Sequence, residues 1–265
     1  YRHMFMDRKD HFIPNTTFDE LYATFIFDRT IRNLFFKNIL IVENNIKSVI
    51  SYQLSKKYGF RDKDYLNPRN FREDKLAERQ VKDVLNKVRR QVRVNGRQHS
   101  ATMHYMYTYG YIPMWVLVKV LSFGIMAEFY SILKIEDQQI IANFYNIEPN
   151  DLEKYLTIIS NFRNVCAHED ILYDHRTQKI IPDTKYHELL KIPKKDDIYI
   201  YGKNDLFGLL IMLKELLRKE EFTELISELK AIIKTLDKKI DVIPLSKILN
   251  KVGFPENWYE IETID

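Results

Sequence analysis

The sequence predicts an all-α helical bundle, and three observations carry that expectation. Gly (7) and Pro (8) make up under 6% of the 265 residues, about half the roughly 12% of an average chain. Sandwiches, barrels and doubly wound folds need many tight turns, so this scarcity argues against them. Apolar residues recur three and four apart over long stretches, which is the helical period. Finally, 16 Phe and 17 Tyr supply bulky material for packing helix on helix. The length suffices for one large core or two modest ones. The pattern reads as a single domain over 1–265, with an irregular insertion at 173–203 and C-terminal helices at 204–265 packing on the bundle.

The elements follow in order. Thr17-Phe18-Asp19-Glu20 has the form of a capping box. Leu21, Phe25, Ile31, Leu34, Phe35, Val42, Ile46, Val49 and Ile50 then continue the period to Gly59, as one long helix or two nearly collinear ones. A second helix over 73–94 carries a thin apolar seam (Leu76, Val81, Val84, Leu85, Val88, Val92) amid dense charge, and Gly96 marks its end. Pro113 suits the first turn of a helix running to about Leu133, in which Ser122-Phe123-Gly124 offers small residues for close approach of another helix. A short helix over 137–145 precedes one that starts at the Asn150–Glu153 capping box and runs to about His168. Pro182, Pro193 and Gly202 punctuate 173–203, where Asp197–Tyr201 forms one short strand. Helices resume over 205–218, 222–236 and 245–252.

Composition bounds the function. With 41 Lys+Arg against 37 Asp+Glu the net charge is +4, too mild to indicate nucleic acid by itself. The lone cysteine, Cys166, excludes an internal disulfide and any CxxC zinc site, and fits a reducing cytoplasm. On the last helix before the insertion it reads as a small buried residue rather than a nucleophile. Residues 1–15 mix Arg, Asp, Lys and His without an apolar run, so no secretory signal is expected, and the absence of Met at position 1 suits a segment of a longer gene product. Tyr109–Ala127 is the most membrane-like stretch, but Lys119 stands inside it and Glu128 follows, so a buried helix is expected and no membrane partner. There is no glycine-rich phosphate loop. His168, Asp170, Asp174 and His175 match no metal-ligand spacing, so neither cofactor nor metal is expected.

The charge is unevenly placed. Arg69–Arg97 holds ten basic and four acidic residues, a net +6, so the remainder is slightly acidic. Lys87, Arg89, Arg90, Arg93 and Arg97 stand in an acid-free run; Arg89 and Arg93 share a helix face, and the row could track a phosphate backbone. His99, His104, Tyr105, Tyr107, Tyr109 and Tyr111 follow, able to stack on unpaired bases, although core packing is the commoner use of such tyrosines.

The most informative run is Asn161-Phe162-Arg163-Asn164-Val165-Cys166-Ala167-His168. Asn164 and His168 lie about 40° apart around a helix, and Arg163 and His168 about 140° apart, a gap that a long arginine can span near a helix end. This sets a permanent cation beside a group that titrates near neutrality, which suits a base for a 2′-hydroxyl and a cation for a phosphorane. The plainer alternative is a cationic decoration of a helix C-terminus. Glu43 and Lys47, one turn apart, read as an i,i+4 pair worth a few tenths of a kcal/mol.

Phe162–His168 resembles the RNxxxH signature of HEPN domains, and more narrowly the AbiD/AbiF-like group of the abortive-infection (Abi) family of bacterial phage-defence proteins. Further runs look like that family's pattern, in the expected order. They are Tyr1-Arg2, Phe27-Asp28-Arg29 with Ile31-Arg32, Val42-Glu43 with Ile46-Lys47-Ser48, Pro113-Met114-Trp115, Leu121–Gly124, and Phe254-Pro255 with Trp258. The resemblance implies a HEPN-type bundle and a metal-independent endoribonuclease. His168 would serve as general base or acid, Arg163 would stabilise the phosphorane, and Asn164 would orient His168 or a phosphate oxygen. It also implies a homodimer that pairs two motif helices, with Glu43 and Lys47 as polar support near them. Expected partners are RNA, a second copy, and a small structured RNA or a neighbour-encoded antitoxin. The chain departs from the family pattern after His168, where Glu169, Asp170 and Ile171-Leu172-Tyr173-Asp174 replace an RLYN-like run; the two acids would repel RNA phosphates. A non-catalytic RNA-binding regulator and a protein-interaction module are the competing readings.

Overall fold

The structure is a computed structural model that describes residues 1–7 and 10–264. The side chains of Lys75 and Leu76, the latter expected in the second helix's seam, lie outside the described residues. The helices are α1 (Phe18–Tyr58), α2 (Asp62–Tyr65), α3 (Lys75–Asn95), α4 (Ser100–Tyr109), α5 (Met114–Val120), α6 (Phe123–Ser131), α7 (Ile135–Asn143), α8 (Pro149–Ala167), α9 (Lys185–Leu189), α10 (Leu206–Leu216), α11 (Lys219–Asp237) and α12 (Leu245–Val252). One two-residue pair, β1 (Lys194–Lys195) with β2 (Ile198–Tyr199), is antiparallel. The fold is all-α. The chain divides into two compact units, Tyr1–Ile41 with Asn161–Asp265, and Val42–Ser160.

Helix α1 is a single helix of 41 residues. No Gly or Pro interrupts it, and the expected capping box opens it: Glu20 N–H donates to Thr17 Oγ1 (3.3 Å) and Thr17 N–H to Glu20 Oε2 (3.1 Å). Gly59, at φ +96°, turns the chain out of the helix, a conformation glycine adopts without penalty.

In the unit built on Tyr1–Ile41 and Asn161–Asp265, α10 is buried along every residue from Leu206 to Leu213. A helix apolar all round belongs in the middle of a core. Amphipathic α11 turns Phe222, Leu225, Ile226, Leu229, Ile233 and Leu236 inward. The 173–203 segment is less irregular than its composition suggests. It holds α9, capped through Thr184 and His187, and the small hairpin. Asp196 (φ +51°) and Asp197 (φ +61°) make the hairpin's turn, since two positive φ values match the right-handed strand twist. Asp197 is therefore a turn residue rather than the start of a strand. His187 Nε2 lies 3.0 Å from the Gly202 carbonyl and ties the segment's ends together.

In the Val42–Ser160 unit, α3 buries Val81, Val84, Leu85 and Val88 and exposes its bases. Helix α4 (Ser100–Tyr109) has no apolar period and so was not expected. The expected helix from Pro113 to Leu133 is two helices. Leu121 is extended (ψ 136°), and Ser122 caps α6 by accepting from Ile125 N–H (3.4 Å). The close approach foreseen at Gly124 is present, because a Cβ there would lie 3.2 Å from Ser160 Oγ. Helix α8 starts at Pro149, not at the Asn150 cap; proline suits a first helical position whose N–H has no partner.

Candidate functional site

Helix α8 carries the motif to its C-terminus. Val165, Cys166 and Phe162 are buried, while Asn161, Asn164 and His168 are exposed. Asn161 and His168 are seven residues apart, hence within about 20° of each other on one face. The helix closes in a Schellman motif: Asp170 N–H donates to the Val165 carbonyl (3.1 Å) and Glu169 N–H to that of Cys166 (3.4 Å). Glu169 holds the left-handed position (φ +57°). His168 is thus the C-cap residue, its own N–H bonded to the Asn164 carbonyl at 3.0 Å. Arg163 is half-buried, with its guanidinium 5.8 Å from the ring centre of Phe36 on α1. The structure places Asn164 and His168 on the exposed face and Arg163 against α1.

The turn after the motif is anchored by a buried polar hub, whose Asp28 and Arg32 the sequence offered only as part of the family pattern. Asp28 on α1 is wholly buried. Its Oδ1 accepts from Leu172 N–H (3.1 Å) and Tyr173 N–H (2.7 Å). Its Oδ2 accepts from the Tyr1 hydroxyl (2.8 Å) and Arg32 Nη1 (3.0 Å). Arg32 Nη1 also donates to the Asp170 carbonyl at 3.0 Å. Tyr1 stacks on Tyr173 (5.0 Å between ring centres); burial, then the bond to Asp28, pushes its hydroxyl pKa up. A signal was available: Asp28 and Arg32 are an i,i+4 charged pair, each directly after an apolar residue, Phe27 and Ile31, of a core-facing stripe.

His175 joins the motif face. Its Nε2 is 2.6 Å from Asn161 Oδ1, and its ring meets Phe162 edge-on at 5.1 Å. Burial, then the Arg176 charge, lowers its pKa. Cys166 is a free buried thiol, pushed up to about 12 by burial, which makes it a poor nucleophile. Among the described residues no group of three or more His, Cys, Asp and Glu is arranged to hold a metal.

Glu43 and Lys47 lie in the Val42–Ser160 unit and form the i,i+4 pair expected. Both side chains are buried; Lys47 Nζ donates to Glu43 Oε1 (2.7 Å) and to the Leu121 carbonyl (2.7 Å). Lysine 47 therefore caps the break between α5 and α6. Arg89, Arg90, Arg93 and Arg97 are exposed on α3 and the 3-10 turn Gly96–Gln98 that extends it. Lys87 is engaged by Glu128 at 2.6 Å. His99 caps α4, its Nδ1 accepting from Thr102 N–H (3.3 Å). The tyrosines that follow are not core residues: Tyr107 is 82% exposed.

No described helix is long and apolar enough to cross a membrane. No curated protein and no solved structure matches the chain. The family model for Abi-like proteins matches residues 1–174. That span runs from Tyr1 through α1 and the motif to the turn that Asp28 anchors, and the chain belongs to the Abi-like family.

Proposed function

We propose that this chain is a metal-independent endoribonuclease of phage defence, built as a HEPN-type bundle and working in the cytoplasm. Family membership supports a role in abortive infection. The observation that carries the chemistry is the pairing of exposed Asn164 and His168 on one face with Arg163 directly before Asn164, all near a pinned helix end. His168 takes the proton of a 2′-hydroxyl, whose oxygen attacks the adjacent phosphorus. The bond to the 5′-oxygen breaks, that oxygen receives a proton, and a 2′,3′-cyclic phosphate remains. Arg163 offsets the charge on the phosphorane and Asn164 orients His168 or a phosphate oxygen. Two copies pair their motif helices across a homodimer, while Arg89, Arg90, Arg93 and Arg97 hold the RNA backbone with Lys87 at the edge of the strip. A small structured RNA or a neighbour-encoded antitoxin would restrain it.

The test is RNA incubated in EDTA with the wild type and His168→Ala. A loss of about 10²–10⁴-fold in rate is expected; undiminished cleavage by the variant, or an absolute need for a divalent metal, contradicts the reading. The exposed arginine row of α3 favours one alternative, an RNA-binding regulator that does not cleave. It predicts steep salt dependence, sensitivity to Arg89→Ala and Arg93→Ala, and indifference to His168→Ala.

A further inference from the structure

The surface formed by α4, α5 and the residues ahead of α2 is explained neither by the motif nor by the arginine row. Five aromatic rings close a circuit there. Tyr105 meets Tyr109 (5.5 Å between ring centres), Tyr109 meets Tyr111 (6.1 Å), and Tyr111 meets Phe60 (5.6 Å). Phe60 meets Trp115 (6.4 Å), and Trp115 returns to Tyr105 (6.5 Å). His104 packs edge-on against Tyr105 and Tyr109. Rings in such mutual contact usually form a core. Here Tyr109 is 55%, Trp115 47% and Phe60 44% exposed, with Tyr107 more exposed still. A contiguous apolar patch of this kind marks a contact surface.

Charge says what covers it. No Asp or Glu stands between Asp83 and Glu128, a stretch that contains all of α4 and α5 together with Arg89, Arg90, Arg93, Arg97 and Lys119. The Arg61 guanidinium lies 5.5 Å from the ring centre of Tyr111. Asp62, next in sequence, is turned to the Ile112 N–H at 3.2 Å. Open π-faces beside Arg61, on helices α4 and α5 that carry no acid of their own, suit a chain that offers flat bases and phosphates together. A duplex, whose bases are already stacked on one another, cannot use the rings.

We propose that this aromatic circuit is a stacking platform for unpaired nucleotides, engaging bases on Tyr109, Trp115 and Phe60 while arginines meet the phosphates. It rests on the nuclease reading only for the choice of RNA, since stacking is indifferent to the sugar.

The protein has two tryptophans, exposed Trp115 and buried Trp258, so fluorescence reports the platform directly. A 2′-O-methyl oligouridine cannot be cut by 2′-hydroxyl attack, which separates binding from cleavage. The oligomer should quench the emission of wild type and of Trp258→Phe alike, and a 2′-O-methyl duplex should not. Tyr109→Ala should weaken single-strand binding about tenfold, and Trp115→Ala, read by anisotropy of a labelled oligomer, likewise. Both side chains are about half exposed, so folding should persist, checked by Tm; Tyr259→Ala, an exposed ring in the other unit, is the control and should change nothing. Equal quenching by the duplex, or unchanged affinity in both aromatic variants, would overturn the proposal. So would a change of solution mass on Tyr109→Ala without loss of oligomer binding, which would make the face a seam between copies. A wild type that binds and quenches but cuts no natural RNA would support the platform and defeat the nuclease reading.

Discussion

Asp28 shows how one side chain sets the geometry of the motif. It takes four donors, two of them N–H groups of the chain just past His168. Asp28→Ala would leave Arg32 buried without its carboxylate and those N–H groups unsatisfied. We expect a loss of about 3–5 kcal/mol in urea unfolding, and a smaller one for Asp28→Asn, which keeps an acceptor for Leu172 and Tyr173. An equal loss in the two variants would show that shape alone matters at this position. Glu169 tells the reverse story. It holds φ +57°, a region that costs a side-chain-bearing residue about 1–2 kcal/mol. Glu169→Gly should therefore raise stability by about 1 kcal/mol, measured by the same unfolding curves, and remove one acid beside His168.

At the scale of elements, two buried polar groups decide where helices break. Lys47 holds both Glu43 and the Leu121 carbonyl at the α5–α6 break. Lys47→Ala should cost about 3–5 kcal/mol by taking the ammonium from a buried carboxylate, while replacing both Glu43 and Lys47 by Leu and Met should recover much of it; thermal melts of the three proteins decide. Asp205 caps α10, with Oδ1 accepting from Gly208 N–H at 2.9 Å. Burial pushes its carboxyl up to about 6, against the N–H bonds of Gly208 and Gly202 and the Arg176 charge, which pull it down. The folded state thus holds this proton more tightly than the unfolded chain does. The stabilisation is complete below the ordinary carboxylate range and is lost as pH rises from about 4 to about 6, amounting to about 2–3 kcal/mol. Asp205→Asn should remove that slope from unfolding free energies measured across the range; an unchanged slope would assign it to other groups.

These same groups mark what the sequence could and could not reveal. Long periodic helices were legible: α1 from its capping box to Gly59, α11 and α12. So was the close contact at Gly124. Helix α4 was not, because its tyrosines face water and leave no apolar period to read. The α5–α6 break was hidden too, since the lysine that stabilises it lies 74 residues earlier in the chain.

For the whole molecule, the family was visible in scattered short runs, most of them in α1, at the α5–α6 break and in the motif; Phe254-Pro255 with Trp258 lies beyond the residues that the family model matches. His175 and the aromatic circuit could not be read in this way. Their neighbours are brought together by folding, as His175 is with Asn161 fourteen residues away, and no local spacing encodes them. The net charge of +4 averages an acid-free, arginine-bearing stretch with a mildly acidic remainder, a division legible in the sequence itself.

The central claim is that RNA is cut by its own 2′-hydroxyl at the end of α8 that carries Arg163, Asn164 and His168. The most direct measurement is the chemistry of the ends left on RNA by wild type and His168→Ala in EDTA. The account predicts 2′,3′-cyclic phosphate and 5′-hydroxyl ends from the wild type and almost none from the variant. Ends of 3′-hydroxyl and 5′-phosphate, or equal cyclic phosphate from both proteins, would contradict it.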